Sequence, residues 1–590
     1  MRLLFIFLFV CTISFAQQNK YQISFENAVH HEAKINIQFP GIKTDTFTVR
    51  MSRSSPGRYA IHEFAKNVYG FKATDSKGKE LKVTRPNPYA WAVTGHDGIV
   101  NIEYILFANR GDGTYSQIDP THAHLNMPAT FMFAEDLQER PIEITYNTEA
   151  MPNWKVATQL KHIEGNTFSA PNLQYFMDSP TEISNFRIKS FEIDGKNVRF
   201  VLHDPSSDEL FNEYFEKVKK IVEQQMKVYG ELPDFDYGEY TFLACYIPNV
   251  SGDGMEHRNS TILTDVETLA NGGMKGNIGT VSHEFFHAWN VERIRPQSLE
   301  PFDFTEANMS GALWFAEGFT SYYTNLILCR AGIISENDYI DGLNGSFNYV
   351  WNSPALQYFN PIEMSYQAPF VDAATSLDPV NRENTFISYY SYGSVLGLAL
   401  DLHLRDKGLN LDDFMKLVWH SYGKPEVPYE IKDIENLLKQ YAGEDIAKNF
   451  FNKYIYNSYM PDYKQLFANM GVDLSRKANE SFLDISVENS ENGLVMTNNP
   501  KIGAPSYKAG LDKGANIISI NTIPVTSVEE FNEITSELKP GQKISLKFSN
   551  YGEEKTVEVG VDKNPSYQIN IDPKARKKAL KNRENWLSAK

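Results

Sequence analysis

The stretch Val281-Ser282-His283-Glu284-Phe285-Phe286-His287-Ala288-Trp289-Asn290 contains His-Glu-x-x-His. On a helix, positions four apart share a face, so His283 and His287 can present ring nitrogens to one metal ion. Glu284 follows the first histidine and can lean over the open side of such a site, against a water molecule. Zinc suits the arrangement. It accepts imidazole and carboxylate in a tetrahedral shell, keeps one place for water, and lowers the pKa of that water to about 7. The adjacent carboxylate then takes the water's proton as the oxygen attacks a carbonyl. The competing reading is a buried helix whose histidines bond to backbone carbonyls, and the rest of the chain must decide between them.

A third protein ligand is needed, and a carboxylate on a neighbouring helix is one standard solution. Leu313-Trp314-Phe315-Ala316-Glu317-Gly318-Phe319-Thr320-Ser321-Tyr322-Tyr323 reads as a helix that is apolar on nearly every side, yet it contains Glu317. An uncompensated carboxylate there costs roughly a few kcal/mol or more, and a metal compensates it. The alternative is a partly exposed glutamate at the helix start, favoured by the helix dipole.

The 590 residues predict several domains. Hydrophobic content of 42% and charged content of 22% are ordinary for folded protein, and 13% aromatics favour β-rich packing and an aromatic-lined cleft. The formal net charge of −17 argues against a nucleic-acid partner and against an anionic membrane surface. No apolar run after the first twenty residues is long enough to span a bilayer.

Residues 1–16 read as a signal peptide. Met1-Arg2 supplies one positive charge, Leu3 to Phe15 is an apolar core of the right length, and Ser14-Phe15-Ala16 is a small-x-small cleavage site before polar Gln17-Gln18-Asn19. Cys11, preceded by Val10, lies inside the apolar core and does not read as a lipid-attachment site. The mature protein is expected to be exported, periplasmic or secreted, with no membrane span after cleavage. It keeps Cys245 and Cys329. One disulfide is allowed, but one cysteine sits in a strand-like run and the other in a helix-like one, so two buried free thiols are expected.

Residues 17–200 read as an N-terminal β-sandwich-like domain flanking the catalytic part. Tyr21 to Phe25, Lys34 to Phe39 and Val100 to Ile105 alternate with period two, and turn clusters such as Asp97-Gly98 and Arg110-Gly111-Asp112-Gly113 separate the strands. Ser55-Pro56-Gly57-Arg58-Tyr59 is another turn signal. His122 and His124 share a strand face, and a second metal site is conceivable there. No Cys, Asp or Glu is read at ligand spacing near them, so satisfied structural histidines are expected.

Residues 201–475 carry the catalytic motifs. Ser207-Asp208 can cap a helix whose stripe is Leu210, Phe211, Tyr214, Val218, Ile221 and Val222, ending near Gly230. Glu239 to Tyr246 and Thr261 to Leu263 are strand-like, with Gly252-Asp253-Gly254-Met255-Glu256-His257 between them. Beyond the motif helices, Val395 to Leu404, Leu411 to Phe414, Ile434 to Tyr441 and Asp445 to Tyr456 read as further helices.

These motifs together resemble a known family. His-Glu-Phe-Phe-His-x-Trp-Asn, Arg293-Ile294-Arg295-Pro296, Pro301-Phe302-Asp303 and Leu313-Trp314-Phe315-Ala316-Glu317-Gly318 are similar to the glycyl aminopeptidase family, peptidase family M61 of the gluzincin metallopeptidases. Glu317 follows His287 by 30 positions, the spacing this family uses. Pro56-Gly57-Arg58-Tyr59 resembles the family's N-terminal Pro-Gly-x-Tyr. The resemblance implies a multidomain α/β mix: a β-sandwich-like domain, a thermolysin-like α+β catalytic domain with a helical half, and a PDZ domain. It also implies one zinc ion per chain, held by His283, His287 and Glu317, and peptide substrates with a free amino terminus and small first residues such as Gly.

Two further roles follow from related zinc aminopeptidases. Gly252-Asp253-Gly254-Met255-Glu256-His257 resembles a Gly-x-Met-Glu edge strand. There Gly254 and Met255 would pair with the substrate backbone and Glu256 would anchor the substrate's α-amino group. In Ser388-Tyr389-Tyr390-Ser391-Tyr392-Gly393-Ser394, the tyrosine three before the glycine is Tyr390, the candidate oxyanion donor, a role worth about 3 kcal/mol. Tyr392 stands where lysine is common, which leaves Tyr389 and Tyr392 as alternatives.

Residues 476–565 resemble a bacterial PDZ domain. Ser506 to Asn521 gives a short helix, a turn and a strand, Val528 to Leu538 a second helix, and Lys543 to Phe548 a later strand. PDZ domains bind an extended peptide or chain terminus by strand addition, here at a loop near Asn499 to Pro505, although a purely structural PDZ domain reads equally well. Residues 566–590 form a basic, polar tail, expected to be solvated. The reading is therefore a zinc aminopeptidase. An endopeptidase using the same metal site and a non-catalytic peptide-binding protein led by its PDZ domain are the two alternatives.

Overall fold

The computed structural model describes residues 17–371, 378–491 and 493–590; the signal-peptide reading falls on residues 1–16, outside the described residues. The period-two runs form the expected β domain. Glu32–Pro40 buries Ala33, Ile35, Ile37 and Phe39 on one face, and Ile99–Phe107 buries Val100, Ile102, Tyr104 and Leu106 on the same side of a seven-stranded sheet. Each of the Val, Ile, Leu and Phe side chains among them contributes about 1.5–3 kcal/mol on burial. Two smaller sheets complete the domain: a three-stranded one (Thr46–Arg50, Ala90–Thr94, Lys82–Asn87) and a four-stranded one (Lys155–Thr158, Thr181–Ser184, His122–Leu125, Gln117–Asp119).

The catalytic sheet begins earlier than the expected boundary near residue 200. Arg187–Ile193 and Lys196–His203 form a hairpin through Asp194-Gly195, both at positive φ, and Lys196–His203 pairs in parallel with Glu239–Tyr246. The sheet continues through Ser260–Asp265 to the strand Asp253–His257. The helix Asp208–Tyr229 covers one face. The Ser207 side chain caps its start by accepting from the Leu210 amide, and Gly230, at φ 91°, ends it. Phe211, Tyr214, Val218, Ile221 and Val222 line its buried stripe, as the spacing predicts.

The helical half packs against this sheet. Its centre is Leu313–Arg330, buried on nearly all sides, which lies against Tyr389–Asp406. The latter helix starts six residues before the expected Val395, so the tyrosine cluster occupies its first turns. A dense aromatic run with a glycine in it does not display the apolar stripe that marks a helix. Gly318 and Gly393 face each other where the two helices cross, and a Cβ on Gly393 would overlap the Trp314 carbonyl. The close approach allowed by this glycine pair sets the distance between Glu317 and the tyrosine cluster.

The PDZ domain has its own apolar core around Met496, Ile517, Phe531, Leu546 and Phe548. The expected binding loop contacts the peptidase. Asn384 donates to the Pro500 carbonyl (3.1 Å) and accepts from the Ile502 amide (2.7 Å).

The C-terminal tail is docked on the peptidase rather than free, although most of its side chains stay exposed. Tyr567–Ile571 returns from the PDZ domain to pair with Val472–Arg476, and Lys577–Leu587 is a helix that docks on the peptidase. Trp586 is fully buried. Its indole donates to the Tyr322 hydroxyl (3.0 Å), and its carbonyl accepts two bonds from the Arg330 guanidinium (3.0 and 3.1 Å). Composition hid this because basic residues surround a short apolar anchor, Trp586-Leu587, at the end of the helix. No helix of the described residues is long and apolar enough to cross a membrane.

Candidate active site

The histidine helix, Ile278–Phe286, is wedged between sheet and helices. Phe285 packs edge-on against Tyr240 and tilted against Phe242, and Phe286 stacks on Tyr323 of the Glu317 helix at 4.6 Å. Those contacts turn His283 and His287 toward Glu317. The Nε2 atoms of His283 and His287 stand 3.1 Å apart, and Glu317 Oε2 is 3.2 Å from His287 Nε2 and 3.7 Å from His283 Nε2. Ligand atoms on a tetrahedral ion with bonds of about 2.0–2.2 Å are separated by roughly 3.3–3.6 Å, so this donor set fits zinc.

The other donor atoms are held from behind. His283 Nδ1 meets Thr324 Oγ1 (3.1 Å), and His287 Nδ1 donates to the Asn290 carbonyl (2.5 Å), so both Nε2 atoms are left to face Glu317. The Asn290 side chain donates to the carbonyls of Phe315 (3.1 Å) and Ala316 (3.0 Å) and to Thr320 Oγ1 (3.1 Å), locking the two motif helices together. Glu317 Oε1 accepts a 2.6 Å bond from the Tyr59 hydroxyl, which comes from the N-terminal domain.

Burial by itself pushes His287 down, but the charges of Glu317, Glu256 and Glu284 outweigh it and raise the imidazole to about 10. Burial also works against ionised Glu317, yet His287 and His283 hold its carboxyl below the ordinary range. His283, deprived of solvent, is lowered. Glu284 is pushed well above the usual carboxylate range, by burial first and then by Glu256, Glu317 and Asp253 against the opposing pull of His287. Its Oε2 is buried without a hydrogen-bond partner.

Glu256, Gly254 and Met255 lie on Asp253–His257, the last strand of the sheet, which among the described residues pairs only with Ser260–Asp265. Carboxylate oxygens of Glu256 and Glu284 and a ring nitrogen of His287 lie within 4.8 Å of one another. A Cβ on residue 254 would overlap the Glu284 carboxylate, so glycine is what lets that carboxylate stand against the strand.

Of the three tyrosines, Tyr390 is the one beside the histidines, its ring 5.9 Å from that of His283. Tyr389 is buried and stacks on Tyr390 at 4.8 Å, while Tyr392 turns away onto Trp351. Burial, the charge of Glu317 and the neighbouring phenols hold the Tyr390 hydroxyl far above its ordinary range, so it stays a donor. A cavity of about 280 Å³ opens beside His283 and Tyr390, lined also by Asn325, Ser391, Ser394 and Leu398.

The sequence reading missed the role of the loop Ser55–Tyr59 as a wall of the site. Arg58 pairs with Asp253 and donates to Thr114 Oγ1 (2.7 Å), Gly57 lies against Met255 and Glu256, and Tyr59 reaches Glu317. The only signal was a turn pattern that also resembled a family motif.

Residues 20–185 match the Peptidase M61 N-terminal domain, residues 276–396 match M61 glycyl aminopeptidase, and residues 481–561 match a PDZ domain. The fold and these matches define a metallopeptidase. The chain carries an M61-type N-terminal domain and an M61 glycyl aminopeptidase domain, followed by a PDZ domain. Among solved structures it is similar to an aminopeptidase N family protein from Idiomarina loihiensis, 24% identical with a TM-score of 0.84 over 97% of this chain and 100% of that one. That likeness is one of fold. An M1 zinc metallopeptidase from Deinococcus radiodurans is 11% identical, with a TM-score of 0.43 over 76% of this chain and 95% of that one. No curated protein matches the sequence.

Proposed function

We propose that the chain is a zinc aminopeptidase that removes the first residue of peptides bearing a free amino terminus. The observation that carries this is the convergence of His283, His287 and Glu317 on one point, with Glu284 and Glu256 both within reach of it. A zinc ion held by those three ligands would supply Lewis-acid polarisation of the scissile carbonyl and of the attacking water.

Every other part of the chemistry falls to the chain. Glu284 takes the water's proton and delivers it to the leaving amine. Its raised affinity for a proton suits both halves of that transfer. The Tyr390 phenol donates to the oxyanion as it forms. The free edge of Asp253–His257 offers backbone groups of Gly254 and Met255 to an extended substrate. Glu256, at the same edge, accepts hydrogen bonds from the substrate's ammonium group. That contact distinguishes a chain end from an internal peptide. A preference for small first residues such as Gly, and export of the mature chain, are part of the same proposal.

The test is a panel of aminoacyl-nitroanilides and matched N-acetyl peptides, with zinc assayed on the same preparation. Wild type, Glu284→Gln and Glu256→Ala are compared. Release of free small residues, with loss in both variants, supports the proposal. Cleavage of blocked peptides that survives Glu256→Ala turns the assignment to an endopeptidase. Culture fractionation tests export.

A further inference from the structure

Away from the active site, a second set of metal-ligating side chains meets at the seam between the four-stranded sheet of the N-terminal domain and the catalytic sheet. His203 and Cys245 are register partners on adjacent parallel strands, and Cys245 Sγ lies 3.3 Å from His203 Nδ1. Glu182 comes from the other sheet, its Oε1 3.5 Å from the same nitrogen. The three donor atoms all lie within 4.8 Å of one another.

Glu182 and Cys245 are buried, at 1% and 0% exposure, while His203 is partly open. Glu182 Oε2 receives His124 Nδ1 (3.2 Å), but Oε1 accepts no hydrogen bond despite its burial. His122 is also fully buried. Its Nδ1 is held by Thr121 Oγ1 (3.0 Å) and Asp119 (3.3 Å), its Nε2 has no partner, and its ring lies 5.0 Å from that of His203. A histidine oriented by a carboxylate on one nitrogen and bare on the other is the usual posture of a metal ligand.

We propose that Glu182, His203 and Cys245 form a second zinc site, with the buried His122 ring beside it, that is structural and staples the N-terminal domain to the peptidase domain. The spacings of 3.3 and 3.5 Å match the roughly 3.3–3.8 Å edges of a tetrahedral shell with bonds of about 2.0–2.3 Å. The donor types favour zinc over calcium or magnesium, which take oxygen. His124 is held through both ring nitrogens, by Glu182 Oε2 and the Asp112 carbonyl (3.0 Å), so it fixes the Glu182 carboxylate from behind. Glu182 and a thiolate at Cys245 then balance a divalent ion, with the thiol proton released to solvent on binding. The expectation that no Asp or Glu stands beside His122 and His124 is thus corrected: Asp119 meets His122 within its own hairpin, and Glu182 reaches His124 from the adjacent strand.

Substitution of the metal-free full chain with Co2+ tests the site by its sulfur, since the His283, His287 and Glu317 set has none. A thiolate-to-Co2+ charge-transfer band in the near ultraviolet is expected in wild type. It should persist in Glu317→Gln and in Cys329→Ser and vanish in Cys245→Ser. Zinc content should fall from two per chain to one in Cys245→Ser. Absence of the band from the Co2+-saturated wild-type chain overturns the proposal whatever the metal count, and needs no variant to fold. A band that disappears with Cys329 rather than Cys245 overturns it equally.

Discussion

The hydroxyl of Tyr59 stands 2.6 Å from Oε1 of Glu317, a bond made between a loop of the N-terminal β domain and the central catalytic helix. It leaves Oε2 as the oxygen facing both histidines, so a residue 258 positions upstream orients the carboxylate of the proposed zinc site. Removing such an outer partner costs about 10–100-fold in metal affinity. Tyr59→Phe is therefore expected to lose zinc to a chelator at roughly that much lower chelator concentration, with thermal unfolding of the metal-free chain little changed. Equal retention of zinc by both proteins would contradict this.

Gly254 owes its identity to Glu284. A methyl group at residue 254 would occupy the space of the Glu284 carboxylate, which must then move by about an ångström. A displacement of that size at a proton-transferring group costs about 10²-fold in rate. Gly254→Ala is expected to lower kcat by about that factor while zinc content stays at the wild-type level. The paired measurement separates a shifted base from a lost metal.

In the proposed zinc site, a proton on His287 competes with the metal. In the metal-free chain this imidazole is raised from its ordinary 6.5 to about 10. A raised imidazole pKa stabilises the folded metal-free chain fully below 6.5, and that contribution disappears as pH rises through about 10. Zinc needs the neutral ring, so its apparent affinity should climb across the same window, by up to about tenfold per pH unit for one displaced proton. Competition with a chromophoric chelator at several pH values measures the slope. A flat profile would mean that no proton is displaced from His287.

Trp586 anchors the end of the chain to the catalytic domain through Tyr322 and Arg330. Truncation of a fully buried tryptophan costs about 3–5 kcal/mol. Trp586→Ala should lower the urea midpoint of the peptidase unit accordingly, whereas Lys578→Ala, on the exposed side of the same helix, should leave it unchanged. A solvated tail would give no difference between the two.

The sequence alone determined the parts that depend on local periodicity and chemical type. The i, i+4 histidines, the carboxylate isolated in an apolar helix, the alternating strands of the first domain and the capped helix at Ser207 are all consequences of neighbours along the chain. Such neighbours fix which face an element buries. Tertiary structure alone decided which loops and edges meet. It brought Tyr59 to Glu317, turned Tyr390 rather than Tyr392 toward His283, buried Trp586, and joined Glu182, His203 and Cys245 across two sheets. Those meetings depend on how packed layers stack, and no pattern within a short window carries that information. The turn at Pro56-Gly57 has the same local signature whether it faces solvent or walls a catalytic cleft.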